Sequence, residues 1–224
     1  MLRYDKRTFV TKKPITNVTQ EVTEDAEAAV ALLSGDPQVD RSRIIVVGHS
    51  FGGTLVPRIA KDDPRIAAIV ALAGTPRKIE DVAVEQLAYL TGAQSPQTIA
   101  ARETVHQIND PALTAGSTVN FLGTPTPGSY WLDLRGYDAA RVAAALTIPM
   151  AFFQGGRDYQ VTRTDFDLWT KALAGKPRVK LKLYPTLNHL FMTGSEPPSP
   201  QDYLKPGHVD PQVIGDLADF VSGR

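Results

Sequence analysis

The sequence predicts an α/β fold, a mostly parallel sheet flanked by helices, with a long stretch inserted between two of its strands. Three observations carry that expectation. Ile44-Ile45-Val46-Val47 is a continuous β-branched run without polar alternation, the pattern of a central parallel strand covered on both faces. Ile66 to Leu72, Pro149 to Phe153 and Val179 to Tyr184 are further strand-like runs, and helical stretches lie between them, so that strands and helices alternate as right-handed crossovers require. The chain has 224 residues, 42% of them hydrophobic and 21% charged, which is a globular composition on a chain long enough to bury its own core. One domain spanning residues 1–224 is expected.

Each element has a local reason. Between Thr19 and Ser34, Val22, Ala26, Ala29, Val30 and Leu33 share one face, the acidic residues Glu21, Glu24, Asp25 and Glu27 lie elsewhere, and Gly35 follows as a stop; this spacing predicts an amphipathic helix. Further helices are predicted from Phe51 to about Lys61, from Asp165 to Ala174 and from Pro211 to Val221. Residues from about 75 to 145 depart from the alternation. They hold helical patches such as Ile79 to Leu90, then Gly123-Thr-Pro-Thr-Pro-Gly128, and so long a departure between two strands predicts a cap inserted over the ligand edge of the sheet. The Pro-rich stretch from Thr193 to Pro211 reads as a surface loop.

Charge and composition narrow the function. Lys+Arg and Asp+Glu both number 24, so electrostatics favour neither nucleic acid nor an anionic membrane as partner, and small neutral ligands fit better. No apolar run is long enough to span a membrane, and the first 20 residues carry basic side chains without an apolar core, so no signal peptide is read and a cytoplasmic protein is expected. The absence of Cys excludes thiolate nucleophiles and cysteine-bound zinc, and no His-x-x-x-His spacing occurs, so no metal site is expected. Asn17-Val18-Thr19 fits a glycosylation sequon only by coincidence at a helix start.

The chemistry concentrates at Gly48-His49-Ser50-Phe51-Gly52-Gly53, which directly follows the Ile44 to Val47 run and opens a helix. A G-x-S-x-G between strand and helix holds the serine on a sharp turn, with small residues two before and two after it to avoid a clash. Ser50 is the candidate nucleophile, and the Phe51 amide at the helix start is the candidate oxyanion donor. A serine needs a base and a group to orient that base. Of the four histidines, His49 is read as packing, and His106 and His208 as solvated surface residues. His189 lies just beyond the Val179 to Tyr184 strand and is the candidate base. Asp158, after the Pro149 to Phe153 strand, is the candidate orienting acid; Asp165 is the reserve, with a helix-start role as its plainer reading, which Asp167 shares.

Ser50, Asp158 and His189, in that chain order, resemble an α/β-hydrolase triad, and the resemblance covers essentially the whole chain. Leu2-Arg-Tyr-Asp-Lys-Arg7, Gly48-His-Ser-Phe-Gly-Gly53, Gln154-Gly-Gly-Arg-Asp-Tyr-Gln160 and Leu187-Asn-His-Leu-Phe191 look like segments of the bacterial serine esterases and acyl-peptidase-like hydrolases related to prolyl oligopeptidase and dienelactone hydrolase. The resemblance implies hydrolysis of small carboxylic esters through an acyl-enzyme with no cofactor. It also implies that Tyr130 and Trp131 lie near the acyl pocket, either as its apolar wall or as packing within the cap. In the family, a segment like Arg3-Tyr4-Asp5 ends an interior strand, preceded by further strands and by a loop that donates a second oxyanion amide. A chain starting at Met1 is therefore expected to be an N-terminally truncated version of the fold with an exposed sheet edge, and to cover that edge as a homodimer. A peptidase or acyl-aminoacyl hydrolase is the alternative enzyme, and a catalytically silent binding protein the alternative from another class.

Overall fold

From the N-terminus the elements are α1 (Arg7–Thr11), a π-helical turn (Thr19–Thr23) running into α2 (Glu24–Gly35), β1 (Ile44–His49), α3 (Phe51–Asp62), β2 (Ile66–Leu72), α4 (Ile79–Thr91), α5 (Pro96–Asn109), β3 (Thr118–Phe121) and β4 (Thr124–Pro127). They continue with α6 (Gly128–Arg135), α7 (Ala139–Ala145), β5 (Met150–Gly155), α8 (Arg163–Ala172), β6 (Val179–Tyr184), a 3-10 turn (Pro200–Leu204) and α9 (Pro211–Ser222). The computed structural model describes residues 1–12, 14–194 and 197–223. It has two compact units, one of Met1–Ile44 with Lys78–Asp138, the other of Ile45–Arg77 with Ala139–Arg224.

The second unit carries the main sheet, in the order β1-β2-β5-β6. β2, β5 and β6 run parallel, with Ile69 opposite Met150 and Met150 opposite Val179. Because β5 has a neighbour on each side and helices in the connections, all six of its residues are buried. Its successive side chains serve opposite faces, as a strand's pleat dictates. Phe152 packs on Trp169 of α8, with ring centroids 4.5 Å apart, and Phe153 meets Tyr184 edge-on in a cluster with Val70, Ala151, Phe191 and Val213.

The Ile44 to Val47 run forms a strand but is not covered on both faces: Ile44 is buried, whereas Val47 is 45% exposed. β1 ends the sheet order, so among the described residues only β2 flanks it. Met1 to Tyr4, expected where relatives have an interior strand, forms no strand.

The first unit joins residues 78–138 to the N-terminal segment. The Asp133 carboxylate accepts from the Thr19 backbone amide at 3.1 Å, and the Tyr130 hydroxyl donates to Glu21 at 2.7 Å. Its core is Ile108, Val119 and Trp131, with Phe121, Tyr130 and Leu134 against them. The sequence reading missed α5, whose apolar stripe is weak, and the β3–β4 hairpin, whose second strand carries Pro125 and Pro127. Thr118 pairs with Pro127 and Phe121 with Thr124. Leu122 and Gly123 between them both have positive φ, 50° and 81°, as a type I′ hairpin turn requires. The Thr193 to Pro211 stretch, read as loop, contains the 3-10 turn and buries Asp202; Ser195 and Glu196 lie outside the described residues. No helix among the described residues is long and apolar enough to cross a membrane.

Candidate active site

Ser50 sits at the junction of β1 and α3 with φ 56° and ψ −121°, a conformation that a side-chain-bearing residue adopts only under constraint from its surroundings. The constraint is visible in the backbone. The Ser50 amide donates to the Leu72 carbonyl at 2.8 Å, tying the turn to the end of β2. Gly48 has no room for a side chain: a Cβ there would lie 2.3 Å from the Gly52 carbonyl oxygen. The expectation for the second small residue needs correction. A Cβ on Gly52 would meet nothing within 4 Å, whereas one on Gly53 would lie 3.0 Å from the Leu72 carbonyl oxygen and 3.1 Å from the Gly74 Cα. The crowded partner is thus Gly53, because α3 enters against the end of β2 there. Phe51 opens α3, and its amide is among those that a first helical turn leaves without a carbonyl partner.

Asp158 follows β5 and is buried. Its Oδ1 accepts from the backbone amides of Gln160 at 2.8 Å and Val161 at 3.0 Å. Its Oδ2 accepts from Gln154 Nε2 at 3.0 Å and lies 2.7 Å from His189 Nδ1. The carboxylate is therefore filled with donors, which fixes its rotation. The Nδ1 bond in turn leaves His189 Nε2 as the nitrogen free to exchange a proton.

His189 is buried in the loop after β6. Asn188 folds this loop: its Oδ1 accepts from the amides of Leu190 at 3.0 Å and Met192 at 3.1 Å, and Leu187 bridges to Thr193. The Arg157 amide donates to the Leu187 carbonyl at 2.9 Å, so the loops of Asp158 and His189 share a backbone contact. His49, read from sequence as packing, does pack, and it also reaches the backbone of His189. Its Nε2 lies 2.8 Å from the His189 carbonyl oxygen, and the two rings stand 4.7 Å apart. Although the residue as a whole is exposed, loss of hydration around its ring, together with repulsion by His189, holds its pKa below the ordinary histidine value.

The other candidates have contacts of their own. Asp165 forms a capping box with Thr162 at the start of α8 and accepts from Thr75 Oγ1 at 2.6 Å and Arg77 Nε at 2.8 Å, so its carboxylate is engaged away from His189. His106 and His208 are exposed. Tyr130 and Trp131 pack edge-on at 5.5 Å in the interior of the first unit. No group of three or more metal-ligating side chains occurs among the described residues. The sequence reading passed over Gln154, although a buried amide at the end of an otherwise apolar strand was a signal in itself.

Residues 2–122 match the family model of the dienelactone hydrolase family. The chain is 39% identical over 223 residues to Esterase EstD of Thermotoga maritima, an alignment covering 99% of this chain and 53% of that protein; it thus spans about half the length of this relative. Among solved structures, it is similar to a monoacylglycerol lipase from Paleococcus ferrophilus (TM-score 0.55, 15% identity, 95% of this chain and 78% of that one). It is also similar to dipeptidyl peptidase 4 of Porphyromonas gingivalis (TM-score 0.55, 16% identity, 93% of this chain and 23% of that one). These two likenesses concern the fold.

Proposed function

Since the chain belongs to the dienelactone hydrolase family, we propose that it is a serine hydrolase cleaving small carboxylic esters through an acyl-enzyme. The observation that carries this reading is the 2.7 Å pairing of His189 Nδ1 with the buried, donor-filled Asp158, alongside a serine held in a strained turn at the end of a strand in the same sheet. Ser50 Oγ attacks the ester carbonyl while His189 Nε2 takes its proton, and Asp158 stabilises the imidazolium that results. The Phe51 amide donates to the oxyanion of the tetrahedral intermediate. His189 returns the proton to the departing alcohol, and then activates the water that releases the acid.

The reading extends to a homodimer, supported by the outermost position of β1 and its exposed Val47; light scattering of the dilute protein measures the association.

Labelling with a fluorophosphonate and turnover of short-chain nitrophenyl esters test the chemistry. The wild type is labelled and turns over, and Ser50→Ala, folded by circular dichroism, does neither. Esterase activity retained by Ser50→Ala refutes the mechanism, and an unlabelled wild type favours a silent binding protein. Amide substrates cleaved faster than esters refute the substrate class.

A further inference from the structure

We infer that His49 is a positioning residue that sets the register between nucleophile and base; this rests on the assignment of Ser50 and His189 above. The residue adjacent to the nucleophile reaches the base's own backbone. His49 Nε2 and the His189 carbonyl oxygen are 2.8 Å apart, and because a carbonyl can only accept, the imidazole carries its proton on Nε2. The rings lie 4.7 Å apart at an interplanar angle of 52°, and Phe191 stands edge-on to His49 at 6.4 Å. One side chain thus combines a directional bond to the base's peptide with a packing surface against the base's ring.

The need for such a strut follows from the connectivity. Ser50 follows β1 and His189 follows β6, at opposite ends of the four-strand order β1-β2-β5-β6, so the sheet ladder itself does not bring their loops into contact. The base loop is also strained at Phe191, whose φ is 56°. Asp158 fixes the ring of His189 through Nδ1, but a ring correctly oriented on a displaced backbone would still present Nε2 off line to Ser50. Displacements of this order, about 1 Å, can cost on the order of a hundredfold in rate. His49 acts on the backbone, and Asp158 on the ring. A neutral imidazole suits the task, since a cation there would oppose the imidazolium that forms on His189.

Two substitutions separate the bond from the packing. In His49→Gln the carboxamide nitrogen stands as many bonds from Cβ as Nε2 does and can donate to the same carbonyl; in His49→Phe the ring remains and the donor is lost. His49→Phe is expected to lower kcat for a short nitrophenyl ester by about tenfold with KM within about twofold, and His49→Gln to recover to within about threefold of wild type, the scale of one hydrogen bond. A role in folding alone would lower the melting temperature of both without this donor-specific order. His49→Phe with wild-type kcat, or His49→Gln as impaired as His49→Phe, overturns the inference.

The wild type gives a reading that needs no variant to fold. Nitrogen-15 histidine spectra at neutral pH are expected to show His49 as the Nε2-protonated tautomer, and an Nδ1-protonated His49 overturns the inference. Fluorophosphonate labelling of the wild type keeps the two questions apart: absence of labelling refutes the hydrolase reading, whereas a labelled wild type with an indifferent His49→Phe refutes only the role of His49.

Discussion

The backbone of Gly155 runs directly against that of Asn188, so closely that a Cβ on Gly155 would lie 2.5 Å from the Asn188 carbonyl oxygen and equally close to that of Leu187. The loops carrying Asp158 and His189 therefore meet through bare backbone. Gly155→Ala forces them apart and is expected to destabilise the protein by about 1–3 kcal/mol, the usual cost of overpacking, and to reduce kcat. By contrast, Gly52→Ala has open space and should not lower stability. Equal melting temperatures for Gly155→Ala and wild type would show that the contact is loose.

Gln154 Nε2 faces three oxygens, Val161 O at 2.8 Å, Asp158 Oδ2 at 3.0 Å and Gly155 O at 3.2 Å, so only its nitrogen can stand there. Gln154→Met keeps the bulk and removes the donors. Loss of a hydrogen bond to a charged group costs about 1.5–3 kcal/mol, and kcat is expected to fall with little change in KM. Steady-state kinetics on a short ester decide, and wild-type kcat in Gln154→Met would make the contact incidental.

The ion pair of Arg77 with the fully buried Asp165 joins the segment after β2 to the start of α8. Breaking such a pair from one side leaves an uncompensated buried charge, at a cost of about 3–5 kcal/mol. Arg77→Met is thus expected to be strongly destabilising, with a smaller loss in Arg77→Met/Asp165→Asn because no charge remains stranded. Denaturant unfolding of the two proteins checks the order.

Glu80 is buried in α4, and desolvation, aided by Asp81, holds its carboxyl above the ordinary glutamate value against the opposing pull of its own backbone hydrogen bond, Lys78 and Arg135. The unfolded chain releases this proton first. Stability therefore falls as pH rises from the ordinary glutamate range, about 4.3, through the higher folded value, and stays lower above it. Glu80→Gln is expected to raise the melting temperature at pH 7 and to leave it nearly unchanged at pH 3.5. A gain equal at both pH values would remove ionisation as the cause.

Much of this protein was legible along the chain because the signals were local. Four β-branched residues before a Gly-x-Ser-x-Gly, apolar runs at Ile66, Pro149 and Val179, and an Asp and a His each following a strand are short-range patterns, and each produced the expected element. Position along the chain favours Asp158, which follows a strand, over Asp165, which falls at a helix start and forms a capping box with Thr162 there.

Tertiary structure decided what depends on distant segments meeting. That Gly53 rather than Gly52 is the crowded glycine follows from the approach of Gly74, twenty-one residues on. That His49 meets His189 follows from a contact spanning 140 residues, which no local pattern encodes. Likewise, the grouping of residues 78–138 with the N-terminal segment rests on pairs such as Thr19 with Asp133. The sequence by itself determined which strands and turns carry Ser50, Asp158 and His189, since strand, turn and helix signals act over a few residues. Only the folded chain determined what holds them in register, because close backbone approach and side-chain reach are properties of three-dimensional packing.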